Sequence, residues 1–446
     1  MAGTQGPDNV FTKQQRIATL AKQSPQMGFT SLNHYLDLAW LLEAYNRTRK
    51  DGAPGVDGTT SDDYELTLLD NLKSLLERAK SGTYFAPPVR RVHIPKGTGT
   101  DTRPIGIPTL EDKILQRAVA MVLEPIYEQE FLNCSYGFRP GRSAHGALQA
   151  LRQQVMALGG CSLVEVDVRK FFDTLDHAHL RELLRQRVRD GVILRLIDKW
   201  MQAGVLEDGN LTYPEAGSPQ GGVISPMLSN VFLHYVVDIW FEQVVKPCLK
   251  GRAFLVRYAD DFVMGFACVE DARRVLEALP KRLGKHGLTI HPEKTRLVEF
   301  KPPTCHPPHG APEAGLPAES FDFLGFTHYW GLSRSGYWVV RQKTASNRFH
   351  RAVGKIKQWC RSNRHEPVSE QCQTLSQKLR GHFAYYGGVV GNFGCLKRFR
   401  HEVVRLWQRW LSRRKRRGQF AWGRMERWVA QLPFPPWWTS PVAAKP

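Results

Sequence analysis

A chain of 446 residues exceeds one ordinary hydrophobic core and calls for two or three domains. Its 62 Lys and Arg outnumber 42 Asp and Glu, a formal charge of +20, while a hydrophobic fraction of 42% excludes global disorder. Such an excess fits a polyanionic partner, because each neutralised phosphate releases condensed counterions. No apolar run of ~18 residues occurs, which excludes a membrane-spanning helix.

Eight cysteines are scattered without a Cys-x-x-Cys pair, so the expected compartment is reducing and no disulfide framework is expected. Cys305, His306 and His309 lie close together among prolines but lack a fourth ligand at zinc spacing. Met1 to Val10 carries no charged-then-apolar leader pattern, and an intracellular protein is expected.

Residues 11–80 read as largely helical: Leu38, Leu41, Leu42 and Tyr45 have helical spacing, as do Leu66, Leu69, Leu72, Leu75 and Leu76. Between them Lys50 to Gly58 is dense in turn residues and forms a structured loop. Residues 87–108 predict a strand, a Gly-rich turn with Lys96, and a return strand with Arg103. A helix follows from Leu110 to about Tyr127, then a strand over Cys161–Val168, a helix near Leu180–Val188 and a helix from Pro226 to Val244. At 253–266, Phe254-Leu255-Val256 and Phe262-Val263-Met264 flank Tyr258-Ala259-Asp260-Asp261, which predicts two buried strands around an acidic turn. Residues 301–319 resemble an insertion. The segment 397–428 holds twelve Lys or Arg against two Glu, with Val403, Val404, Trp407, Trp410 and Leu411 on one helical face and Arg405, Arg409 and Arg413 elsewhere. It ends in Arg413, Arg414, Lys415, Arg416 and Arg417, a phosphate-binding candidate.

Adjacent aspartates on a tight turn repel one another unless a cation is near. Asp260 and Asp261 sit between apolar triplets, so their turn is anchored in a core. In Val164-Glu165-Val166-Asp167-Val168 the alternation places the valines on one face and the carboxylates on the other. Pairing of that strand beside the 253–266 hairpin brings Asp167 to Asp260 and Asp261. Three converging carboxylates suit two Mg²⁺ ions about 4 Å apart.

Three ordered blocks carry a resemblance: Asp167 to Asp173, Ser218 to Pro226, and Tyr258 to Asp261. With Ile94-Pro95-Lys96, Arg103 to Pro108, Ser135 to Ser143, Gly287 to Thr295 and Phe323 to Phe326, the chain resembles the group II intron-encoded reverse transcriptase/maturase family from about residue 50 to 415. The resemblance implies an α+β right-hand polymerase: fingers, a palm with an antiparallel sheet, and a helical thumb/maturase domain. The expected division is 1–80 as N-terminal extension and start of the fingers, 81–335 as fingers and palm, 336–395 as thumb, and 396–446 as a basic nucleic-acid-binding segment.

It further implies that Asp167, Asp260 and Asp261 are catalytic metal ligands, assisted by the Val168 carbonyl. Lys96, Arg103, Phe172, Gln220 and Lys294 would contact the incoming nucleotide, Phe172 by excluding a 2′-hydroxyl. Arg139, Arg142, Arg380 and the Arg413–Arg417 cluster would contact RNA or DNA, and the Asp51–Gly58 loop would lie near the template. The implied cofactor is Mg²⁺; the implied partners are group II intron RNA, an RNA template with a DNA primer, dNTPs and a DNA target. A cytoplasmic, nucleoid-associated bacterial protein, monomer or homodimer, is expected. Nothing after Gly418 resembles the His-Asn-His endonuclease of many members, so mobility is expected to use a ready-made primer. The alternatives are a splicing-only maturase and a domesticated relative in DNA repair or phage defence.

Overall fold

The computed structural model describes residues 7–95, 102–169, 171–207, 209–213, 221–303, 319–413 and 422–435. These form two compact units. The first comprises the described residues up to 143 and 164–297; the second comprises 144–163 and the described residues from 298 on.

In the first unit the core gathers around helix Leu110–Tyr127, whose bounds match those read from the sequence. Thr109 caps it, its Oγ1 accepting the Asp112 amide. Ile114, Leu115, Ala118, Val119 and Val122 are fully buried, and the indole of Trp40 on helix Leu38–Asn46 donates to the Ala118 carbonyl at 2.9 Å. The helical row expected at 66–76 is only half right. Leu72 and Leu75 of helix Leu68–Ser81 are buried, whereas Leu66 is 85% exposed because it caps a separate short helix, Ser61–Glu65.

The 87–108 hairpin forms as expected. Strands β1 (Val89–Pro95) and β2 (Thr102–Ile107) pair antiparallel. After β3 (Cys161–Asp167), a second hairpin of β4 (Val205–Glu207) and β5 (Asn210–Thr212) extends the first, in the order β2-β1-β4-β5. Strands β6 (Ala253–Tyr258), β7 (Asp261–Phe266) and β8 (Arg296–Phe300) join β3 in the order β6-β7-β3-β8.

The helix expected from Pro226 to Val244 is α-helical only over Ser225–Leu233. It then widens into π turns at His234–Asp238 and Trp240–Val245, the Ile239 amide bonding to the His234 carbonyl five residues back. The widened stretch carries the buried polar side chains His234 and Asp238.

The second unit holds the sheet β9 (Phe321–Phe323), β10 (Phe326–Leu332) and β11 (Trp338–Thr344), and the helices Ser346–Ser362, Val368–Tyr386, Phe393–Ser412 and Trp422–Gln431. Val403, Val404, Trp407, Trp410 and Leu411 are buried on one face of Phe393–Ser412, with Arg405, Arg409 and Arg413 exposed. Cys305, His306, His309 and most of the 301–319 insertion lie outside the described residues. No helix of the described residues is long and apolar enough to cross a membrane. Helices and largely antiparallel sheets in succession make the chain α+β.

Candidate active site

Strands β6 and β7 pair so that Tyr258 faces Asp261, leaving Ala259 and Asp260 as the connecting turn. Phe254, Leu255, Val256, Phe262, Val263 and Met264 are all buried, so the acidic turn is mounted on a packed hairpin. Ala259 has φ of 56°, a left-handed conformation that costs a residue with a Cβ about 1–2 kcal/mol. Strained residues of this kind persist only where their surroundings hold them.

Strand β3 lies directly beside β7. Its alternation is as read from the sequence: Val164, Val166 and Val168 are buried, and Glu165 and Asp167 are half-exposed on the other face. Asp260 senses Asp167 electrically. Burial raises the Asp260 carboxyl above its usual range and the Asp167 charge adds to the rise, while Arg103 and Arg257 oppose it. The juxtaposition expected of Asp167 and the acidic turn is therefore present, with Arg103 of β2 in the same electrostatic neighbourhood. Asp261 is exposed.

Asp167 is held on its far side by residues 289–296. The His291 amide donates to the Asp167 carbonyl and the Arg169 amide to the Thr289 carbonyl, both at 2.8 Å, an antiparallel bridge that leaves the Val168 carbonyl outside it. The Lys294 ammonium reaches the Asp167 carboxylate at 3.1 Å, and Arg296 pairs with Glu165 at 2.6 Å. Among the described residues no three His, Cys, Asp or Glu side chains close into a metal-holding cluster. With Asp167 turned to Lys294, the three aspartates stand near one another without a shared focus.

The turn has an internal support that sequence reading missed. Arg257 of β6 is fully buried and forms a two-point pair with Asp238, Nε to Oδ1 at 2.7 Å and Nη2 to Oδ2 at 2.6 Å. Its remaining nitrogen Nη1 donates to Asn230 Oδ1 at 3.1 Å and to the Ala259 carbonyl at 3.2 Å. Asn230 in turn donates to the Gly137 carbonyl at 2.7 Å. Gly137 lies flat against the turn, and a Cβ there would overlap the Ala259 amide. His234, one turn before Asp238, is kept neutral because burial, aided by Arg257 and Arg139, lowers it to about 3. The π turn at 234–238 thus carries the carboxylate that anchors Arg257. An arginine inside an otherwise apolar strand was the available signal, since a buried cation requires a partner.

The other expected contacts divide. Arg103 is exposed at the start of β2. Phe172 is partly buried, its ring edge-on to the buried Phe171 at 5.3 Å. Arg139 is unavailable to a nucleic acid: it is 7% exposed and its guanidinium is taken by Glu128 at 2.9 Å and by the Leu132 and Ser135 carbonyls. The exposed neighbour is Phe138, at φ of 55° with its ring 6.2 Å from Tyr258. Arg142 is half-buried, donating to Asn133 at 2.7 Å over the Tyr136 ring. Arg380 and Arg413 are exposed in the second unit. Lys96, Gln220, Arg414, Lys415, Arg416 and Arg417 lie outside the described residues.

Beyond Gln220, Gly221 has φ of 118° and packs on the Gly106 carbonyl, and Gln116 Oε1 accepts the Val223 and Ile224 amides at 2.8 and 3.3 Å. The Lys50–Gly58 loop is fixed from outside by Lys113 to the Ala53 carbonyl and Arg90 to the Pro54 carbonyl, each at 2.8 Å.

Residues 94–328 match the reverse transcriptase (RNA-dependent DNA polymerase) family. Similar proteins include protein YkfC of Escherichia coli K12, 34% identical over 64% of this chain and 83% of YkfC. The group II intron-encoded protein LtrA of Lactococcus lactis subsp. cremoris is 36% identical over 49% of this chain and 37% of LtrA. The putative COX1/OXI3 intron 2 protein of Saccharomyces cerevisiae is 35% identical over 83% of this chain and 46% of its own length. The chain thus spans most of the first relative and less than half of the other two. Acidic hairpin, partner strand and matched span converge, and the chain belongs to the reverse transcriptase family, with the right-hand polymerase fold and the kinship to group II intron-encoded proteins expected of its motifs.

Proposed function

We propose that this protein is an RNA-directed DNA polymerase that uses two Mg²⁺ ions and also binds group II intron RNA to promote splicing and mobility. The observation that carries this reading is the placement of β3 beside β7, which puts Asp167 next to a turn whose Asp260 already feels its charge. The donor set fits the metal: hard carboxylate oxygens whose mutual repulsion a divalent cation relieves. Asp167, Asp260 and Asp261 would hold it, with the Val168 carbonyl assisting, and Asp167 must first exchange its bond to Lys294. When bound, the ions lower the pKa of a primer 3′-hydroxyl and balance charge developing on phosphate.

The chain's own residues then orient the reactants. Arg103 and Lys96 grip the triphosphate, where a forked guanidinium suits phosphate oxygens, and Gln220 contacts the incoming nucleotide. Phe172 lies under the sugar, and Lys294, released from Asp167, faces the same phosphates. The 1–80, 81–335, 336–395 and 396–446 division, the cytoplasmic, nucleoid-associated location, and the DNA target belong to the same reading.

Primer extension on an RNA template tests it. Pure protein with Mg²⁺ incorporates dNTPs, and Asp260→Asn abolishes synthesis while leaving RNA affinity largely intact. No incorporation by the unaltered protein would refute the polymerase reading. Equal loss of both properties in the variant would refute the ligand assignment.

A further inference from the structure

The basic residues of the second unit are not spread evenly over its surface. Lys357, Arg361, Arg364, Arg409 and Arg413 line a single cavity of about 390 Å³, together with Leu406 and Trp410. Lys357 and Arg361 come from helix Ser346–Ser362, and Arg409 from helix Phe393–Ser412. No carboxylate lines this cavity among the described residues.

A simpler account is that cations gather where helices end. Arg361 and Arg409 do lie in the last turns of their helices, where a positive charge gains about 0.3–1 kcal/mol from the helix dipole. That explains two cations, each facing its own helix end. It does not explain five converging on one concavity, where low-dielectric walls strengthen their mutual repulsion. Two further observations point to a ligand. The Arg413 guanidinium lies over the Trp410 ring at 4.5 Å, which fixes its plane. The Trp410 indole N–H is buried with no hydrogen-bond partner among the described residues, a deficit of about 1–3 kcal/mol.

Shape and chemistry narrow the occupant. Forked guanidiniums match the tetrahedral oxygens of a phosphate. At ~30 Å³ per water, the cavity exceeds the needs of a small ion and admits a phosphodiester with its sugar. Trp410 is only 7% exposed, so it presents no face on which a base could stack. Recognition here is of backbone rather than sequence.

We propose that this cavity seats backbone phosphates of an RNA strand. The proposal rests on the reading that the protein binds RNA. The test is fluorescence-anisotropy titration of a labelled, unstructured RNA oligonucleotide across a salt series, with the full chain. Arg361→Gln/Arg409→Gln is expected to weaken binding and to flatten the slope of log K against log salt by about 0.7 for each phosphate left without its cation. Arg361→Lys/Arg409→Lys, which keeps the charge, is expected to retain most of the slope, and this separates charge loss from misfolding. An unchanged slope in the Gln pair, with RNA bound normally by the unaltered protein, would overturn the cavity assignment alone. Failure of the unaltered protein to bind RNA would overturn the functional reading. A parallel titration with inorganic triphosphate addresses a free polyphosphate as occupant: binding tighter than that of the oligonucleotide, lost in the Gln pair, would overturn the RNA assignment.

Discussion

Arg257 offers a way to separate what holds the acidic turn from what holds the protein together. Arg257→Met deletes the two-point pair with Asp238 and the bonds to Asn230 and the Ala259 carbonyl. Both charged partners are fully buried, so Asp238 is stranded, and breaking such a pair costs about 3–5 kcal/mol. Against a total stability of about 5–15 kcal/mol this is a severe loss, and inactivity of the single variant would say nothing about catalysis. The double variant Arg257→Met/Asp238→Leu removes the stranded charge, and apolar replacement of a buried pair is often neutral or stabilising. Its denaturant midpoint should return close to the starting value. Its kcat should not. The Ala259 carbonyl still lacks its donor, and at about 1–3 kcal/mol for an unmet polar group the strained turn relaxes, lowering kcat roughly 10- to 100-fold in primer extension. Full recovery of kcat together with stability would refute the positioning role and leave Arg257 as scaffold only.

Two further expectations follow from neighbouring geometry. Gly137→Ala drives a Cβ into the Ala259 amide, so primer extension should fall with a stability loss of about 1–3 kcal/mol; unaltered synthesis would show that the loop and turn are not in register. Asp112, in the first turn of helix Leu110–Tyr127, is pushed up to about 7 by burial, with the Asp57 charge adding and the Trp200 indole opposing. A raised carboxyl contributes stability that is complete below its unfolded pKa near 4 and is lost as pH rises through about 7. Thermal unfolding between pH 4 and 7 should therefore show a downward trend that Asp112→Asn flattens. An unchanged profile in the variant would locate the titration elsewhere.

Much of this architecture is legible because its signals are local. Hydrophobic period and caps delimit helix Leu110–Tyr127, and alternation in β3 foretells the face on which Asp167 stands. The exposure of Leu66 escapes such reading because spacing alone does not reveal the break between two helices. The supports of the turn are hidden for another reason. Asp238 is nineteen residues from Arg257 and sits in a stretch that reads as ordinary apolar helix, so only three-dimensional packing pairs them. Arg139 is similarly opaque. In a loop a basic residue invites a nucleic-acid reading, yet Glu128, at the C-terminal end of helix Leu110–Tyr127, claims its guanidinium.

The widened turns after Leu233 separate what this stretch can change from what it must keep. A π turn holds one residue more than the α turn it replaces, and a single deletion within 234–238 would restore regular helix at no cost to backbone hydrogen bonding. Because a π turn and an α turn each close one revolution, the helix beyond would stay in register, and Asp238 would still face Arg257. What this stretch should not tolerate is loss of the Asn230 or Asp238 side chain itself, because the two together hold Arg257 against the acidic turn some twenty residues downstream.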